Sequence, residues 1–173
     1  MPAEIRNKIW KLVLGGKLYE SDWTLGFYSP PTEPEDATAL LRTCRQIYSE
    51  TAIMPLALGT FSVESVREAA RSLKKLKPSQ RKQITNLQFT VRWPHIDWQL
   101  GTLCFALHSY ALFRSLSALR ELRILVLSVK DPVVTRQKVE EAVYEHLKPS
   151  IQNVPFAVKV DYTHQRWSDY VNS

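Results

Sequence analysis

The chain has 173 residues, of which 45% are hydrophobic and 23% charged, with a formal net charge of +6 and a pI near 9.4. That length can bury a core without staples, and the balance excludes an intrinsically disordered segment or a low-complexity polymer. Only Cys44 and Cys104 carry thiols, which argues against a disulfide-built secreted fold, and no apolar run nears the length of a bilayer span, so cytoplasm or nucleus is the expected setting.

The first predicted element is a helix over residues 3–14, with Ile5, Ile9, Leu12 and Val13 on one stripe and Glu4, Arg6, Asn7, Lys8 and Lys11 mostly opposite. Gly15-Gly16 stops it. Residues 15–36 then hold Tyr19, Trp23, Phe27 and Tyr28 followed by Pro30, Pro31 and Pro34, which predicts a loop with aromatic anchors. A second helix is predicted from about Ala37 to Ala52, carrying Leu40, Leu41, Cys44, Ile47 and Tyr48 at helical spacing and ending near Pro55.

The order Pro2-x-Glu4-Ile5-x-x-x-Ile9 followed by Leu40-Leu41-x-x-Cys44-Arg45-x-Ile47 resembles the two halves of an F-box, with Met1 where the leading Leu usually stands. In the form Pro-x-Glu-Ile-Arg-Asn-x-Ile-Trp with Cys-Arg-Gln-Ile-Tyr-x-Glu after it, the pair looks like the F-box-like domains of filamentous fungi. The likeness covers about 35 positions. It implies that Pro2, Ile5, Ile9, Leu12, Leu41 and Ile47 contact a Skp-type adaptor protein of a cullin ubiquitin ligase. It also implies that Cys44 is a buried packing residue.

Beyond Pro55 an apolar-x-x-apolar-x-apolar pattern recurs at Leu58/Phe61/Val63, Ile84/Leu87/Phe89, Leu119/Leu122/Ile124 and Ile151/Val154/Phe156. The copies start about 26, 35 and 32 residues apart, the scale of one strand plus one helix. Between them, Ser65-x-x-Glu68 reads as a capping box opening a helix with Val66, Ala69, Ala70, Leu73 and Leu76 on one face. Residues 97–116 are apolar almost all round and predict the most buried helix. Asp131-Pro132 opens a third, with Val139, Val143, Leu147 and Ile151 every four residues. The continuous run from Leu122 to Val129 predicts a central strand covered on both faces, and the alternation at Phe156, Val158 and Val160 predicts an edge strand.

The expected architecture is therefore α/β (or α+β): an F-box-like helical module over residues 1–57, packed on a small α/β unit over residues 58–173. That unit should hold about four mostly parallel strands with crossover helices. It resembles the leucine-rich-repeat-like domains that follow an F-box, although Val66, Arg92, Leu127 and Lys159 stand where that repeat carries its Asn ladder.

Catalytic signals are scarce. Five glycines form no phosphate loop, and there is no Gly-x-Ser-x-Gly elbow or Cys-x-x-Cys pair. His95 and Asp97 lack further ligands at useful spacing, and His108 within an apolar stretch reads as a core histidine. No enzyme activity, cofactor or metal is expected. The loop aromatics Trp23, Phe27, Tyr28, Trp93 and Trp98 are the candidate second binding surface, because aromatic anchors dominate interface energies. Lys74, Lys75, Lys77, Arg81 and Lys82 flank a turn without any recognition motif, which makes a nucleic-acid site an unfavoured alternative. The leading reading is an interaction module that joins an adaptor to an unknown target protein, off the membrane. Its rival is a single self-packed interaction domain with no ligase role.

Overall fold

The computed structural model describes residues 2–30, 42, 44–92, 96–109, 112–129, 136–151 and 154–165. Helix α1 (Ala3–Leu14) is followed by strands β1 (Leu18–Asp22) and β2 (Gly26–Tyr28), then helices α2 (Arg45–Thr51) and α3 (Met54–Leu58). Next come β3 (Thr60–Val63), α4 (Val66–Lys75), a short α5 (Pro78–Arg81), β4 (Asn86–Arg92) and α6 (Ile96–Ser109). The chain continues through β5 (Glu121–Val129), α7 (Arg136–Ile151) and β6 (Ala157–Gln165). The strands form one sheet in the order β2-β1-β3-β4-β5-β6, parallel throughout except for the β1/β2 hairpin.

Six strands replace the expected four, because the hairpin β1–β2 arises inside the stretch predicted to be a loop. Its strands are too short and polar to show a periodic pattern, and its anchorage is aromatic. Tyr19 stacks on Phe61 at 5.2 Å between ring centroids, and Phe27 meets the same ring edge-on at 4.9 Å. Gly26 adopts φ 88°, the left-handed conformation this tight connection demands.

Parallel register aligns Phe61, Leu87, Leu122 and Val158 in one row and Val63, Phe89, Ile124 and Val160 in the next. These rows join Ala69 and Leu73 of α4, Leu100, Leu103 and Leu107 of α6, and Val139, Val143 and Leu147 of α7 in a single core. Each buried aliphatic side chain there contributes about 1.5–3 kcal/mol. The helices share one face because the crossovers β3–α4–β4, β4–α6–β5 and β5–α7–β6 all step the same way, and one hand of crossover is strongly favoured. The opposite face is largely polar, with rows such as Ser62, Gln88, Arg123 and Lys159. Strand β5 is interior but next to the edge, and it is not covered on both sides: Leu125 and Leu127 on the second face remain half-buried.

Three further expectations are corrected. The fourth repeat copy is out of step, since Leu122 pairs with Val158 and not Val154, and Ile151 ends α7. The second helix begins at Arg45, with Cys44 extended before it (φ −159°, ψ 162°); residues 37–41 and 43 lie outside the described residues. Cys44 is exposed, and its Sγ accepts the Ile47 N–H at 3.5 Å, so it caps the helix and is not a buried packing residue. Lastly, α6 is apolar almost all round but buried along one face only. Leu100, Leu103, Ala106 and Leu107 form its inner stripe, but Trp98 is 70% and Phe105 76% exposed.

Other details follow the sequence closely. Ser65 Oγ accepts the Glu68 N–H at 3.2 Å, and the Glu68 carboxylate reaches back to the Glu64 N–H at 3.0 Å, a capping box displaced by one residue. Edge strand β6 and the buried stripe Val139, Val143 and Leu147 are as expected.

The junction between the N-terminal helices and the sheet depends on Gly59. A Cβ there would lie 2.5 Å from the Pro55 carbonyl oxygen and 2.6 Å from the Tyr19 ring. Gly59→Ala should destabilise the chain by about 1–3 kcal/mol, read from denaturant midpoints, because backbone and a packed ring must both yield.

Candidate functional site

Helix α1 docks through the face Arg6, Trp10 and Leu14. Leu14 is fully buried and Trp10 nearly so, while Arg6 Nε and Trp10 Nε1 donate to Glu50 on α2 at 3.3 and 3.4 Å. Hydrogen bonds from Gln46 and Trp10, together with the Arg6 charge, hold the Glu50 carboxyl below its ordinary range. This packed face is rotated about 120° from the stripe Ile5, Ile9, Leu12 and Val13, by the 100° turn per residue. The stripe therefore stays in solvent: Ile5 is 49%, Ile9 38%, Leu12 83% and Val13 42% exposed. Pro2 is exposed beside it, Ile47 is half-buried, and Tyr48 on α2 and Ile53 just before α3 add exposed apolar surface. Leu41 lies outside the described residues.

The second aromatic set divides. Phe27 is spent on the core, and Tyr28 turns to the polar side, where its hydroxyl donates to Glu20 at 3.2 Å. Burial, reinforced by the Glu20 carboxylate, pushes the Tyr28 phenol up. Trp93 lies outside the described residues. Trp23 and Trp98, 75 residues apart in sequence, line one apolar groove between α4 and α6, and Phe105 joins them. The groove consists of a hollow of about 780 Å³ and a smaller one of about 360 Å³ that share Val66, Ala70 and Phe105. The sequence signal for Phe105 was present but ambiguous: an all-round apolar helix conceals which side chain faces out.

Trp23 is held at the groove by the turn that carries it. Lys75 Nζ donates to the Trp23 and Thr24 carbonyls at 3.1 and 2.6 Å, and the Arg71 guanidinium lies 4.2 Å over the indole. Within the turn, Asp22 Oδ1 accepts from the Thr24 hydroxyl at 2.5 Å and from the Thr24 and Leu25 amides at 2.7 and 2.8 Å. These bonds, that of the Thr24 hydroxyl first, hold the Asp22 carboxyl at about 2 against an ordinary 3.8. A depressed carboxylate stabilises the turn above the unfolded value and loses that contribution as pH falls from about 4 to about 2. The Thr24 and Leu25 amide resonances should titrate with a midpoint near 2, and Asp22→Asn should erase that titration.

A polar hollow of about 440 Å³ lies over the polar face of the sheet and reaches the carboxyl ends of β3 and β4 at Glu64 and Arg92, the end where an α/β enzyme would place its site. Its groups satisfy one another: Arg92 pairs with Glu64 at 2.5 Å, and Gln88, Ser62 and Thr90 form a chain of hydrogen bonds at 3.3 and 3.2 Å. Among the described residues no group of three His, Cys, Asp or Glu side chains is placed to hold a metal. His95 lies outside those residues. Nor, among them, is any helix long and apolar enough to cross a membrane. Cys104 is half-buried, donates to the His146 carbonyl at 3.2 Å and has its thiol pushed up by burial.

Compared with protein-family models, with curated proteins and with solved structures, the chain matches none.

Proposed function

We propose that the chain is an F-box-like interaction module whose α1 and α2 bind a Skp-type adaptor of a cullin ubiquitin ligase while the α/β unit holds a target protein. The observation that carries this reading is the apolar stripe Ile5, Ile9, Leu12 and Val13, which no described part of the chain covers although α1 is firmly docked by Trp10 and Leu14. Contiguous exposed apolar surface on a fixed helix is what a partner helix covers in a groove-type interface. The resemblance of Pro2-x-Glu4-Ile5-x-x-x-Ile9 and Cys44-Arg45-x-Ile47 to an F-box names the partner. A self-packed cap would instead bury Ile5 and Ile9 against residues 58–160, whereas on α1 the residues that pack are Trp10 and Leu14. The role belongs in cytoplasm or nucleus, and transfer of ubiquitin would be done by other subunits.

Co-expression with a Skp-type adaptor, followed by size exclusion with light scattering, tests the reading. A one-to-one complex is expected. A folded chain that elutes alone at micromolar concentration would overturn it and leave the self-packed domain as the better account.

A further inference from the structure

We propose that the groove between α4 and α6 docks an amphipathic helix of the target protein, apolar on its inner face and acidic along its flank. The inference deepens the reading above and rests on it only in taking the ligand to be a protein.

Three observations converge. The first is Gly101. It sits in the middle of α6, where glycine costs about 1 kcal/mol relative to alanine, and a Cβ built on it would meet nothing within 4 Å. Nothing inside the described chain needs that position to be small. It opens onto the groove opposite Ala70, and two small residues facing each other let another backbone approach closely.

The second is the shape and lining. Two adjoining hollows divided by Phe105 run along α4, whose ten residues span about 15 Å at 1.5 Å each. A helix of about three turns matches that length, with anchors at i, i+3 or i+4, and i+7. The groove is open to solvent along its side, which suits a macromolecular segment better than a small ligand that would need enclosure.

The third is charge. Arg67 and Arg71 stand at the Trp23 end, and Lys74 and Arg81 line the lower hollow. None of the four is ion-paired among the described residues. The Nε of Arg81 is shielded from solvent and lacks a hydrogen-bond partner among them. A basic rim around an apolar floor selects an acidic flank. Base stacking is disfavoured by the same geometry, since Arg71 already covers one face of the Trp23 ring.

The test begins with a display library of random peptides of about 16 residues, long enough for three to four turns, panned on the full chain at physiological salt. The expected consensus carries apolar residues at i, i+3 or i+4, and i+7 with Asp or Glu beside them. The consensus peptide, labelled and titrated by anisotropy, should lose tenfold or more in affinity with Trp98→Ala and with Phe105→Ser. Both side chains are largely exposed, so the fold should survive. Gly101→Leu should block binding while leaving the thermal midpoint unchanged or raised, a combination that misfolding cannot produce. Arg67→Glu with Arg71→Glu should weaken binding and reverse its salt dependence. Failure to enrich such a consensus, an enriched basic consensus, or full affinity in Phe105→Ser would overturn the proposal. So would sub-micromolar binding of single-stranded DNA at that salt, or self-association of the chain through this groove. Ile9→Asp should leave peptide affinity unchanged, so a failed adaptor interaction and a failed groove are read separately.

Discussion

Ile9→Asp should abolish the complex with a Skp-type adaptor while the free chain unfolds close to its original midpoint. In the complex a carboxylate would enter an apolar contact with no partner, costing about 3 kcal/mol or more, at least a hundredfold in affinity. In the free chain Ile9 is 38% exposed and belongs to no core cluster, so the substitution loses mainly helix propensity. That loss is about 0.5 kcal/mol, about one to two degrees in a domain of this size. The two magnitudes differ several-fold, and the experiment separates them. Trp10→Ala is the opposite control. It removes a side chain only 8% exposed and should cost about 3–4 kcal/mol, so binding and stability should fall together. If Ile9→Asp lowers the midpoint as far as Trp10→Ala does, the stripe is core and the adaptor reading fails.

Phe61→Ala should be among the most damaging substitutions in the sheet, costing about 3–5 kcal/mol. Phe61 is 3% exposed and lies between Tyr19 and Phe27, so its ring is the common anchor of β1 and β2. For a domain whose net stability is about 5–15 kcal/mol, that is about a fifth of the total or more. The loss should also be uneven. With the anchor gone, β1 keeps its backbone ladder to β3, but the aromatic contacts that fix the hairpin vanish, and Trp23 rides on its turn. Hydrogen exchange should quicken first in residues 18–28 and only later in β4 and β5. Equal loss of protection across all strands would show that the hairpin does not open separately. Because Trp23 lines the α4/α6 groove, affinity for a peptide bound there should fall in the same variant.

Elements with long, clean periodicity are legible in the sequence. The every-fourth stripe Val139, Val143 and Leu147 specified α7, and the apolar run from Leu122 placed β5 inside the sheet, paired on both sides, though not covered on both faces. The Ser65-x-x-Glu68 spacing located the start of α4 to the residue. Strand spacing of 26 and 35 residues matched the first three repeat copies, and the fourth slipped because Val154 and Phe156 pack into the core from the loop before β6. Hairpin β1–β2 was illegible for a physical reason. Its five- and three-residue strands are stabilised by the Phe61 ring of β3 and by Lys75 from α4, contacts that local sequence does not encode.

The candidate surfaces divide in the same way. The residues of the N-terminal stripe were readable as a set, because helical spacing fixes which side chains share a face. Whether that face looked inward or outward was not readable, since α1 has two apolar faces and Trp10 with Leu14 takes the inner place. The groove was visible only as scattered aromatics. Sequence alone determined which side chains share a helix face and the spacing of β3, β4 and β5, both set by local period and chain connectivity. Tertiary structure decided which apolar residues were left without a partner, because exposure depends on what packs opposite a face. Trp98 and Phe105 are as apolar as Leu100 and Leu103; they lie in the groove because α6 turns its other side to the sheet.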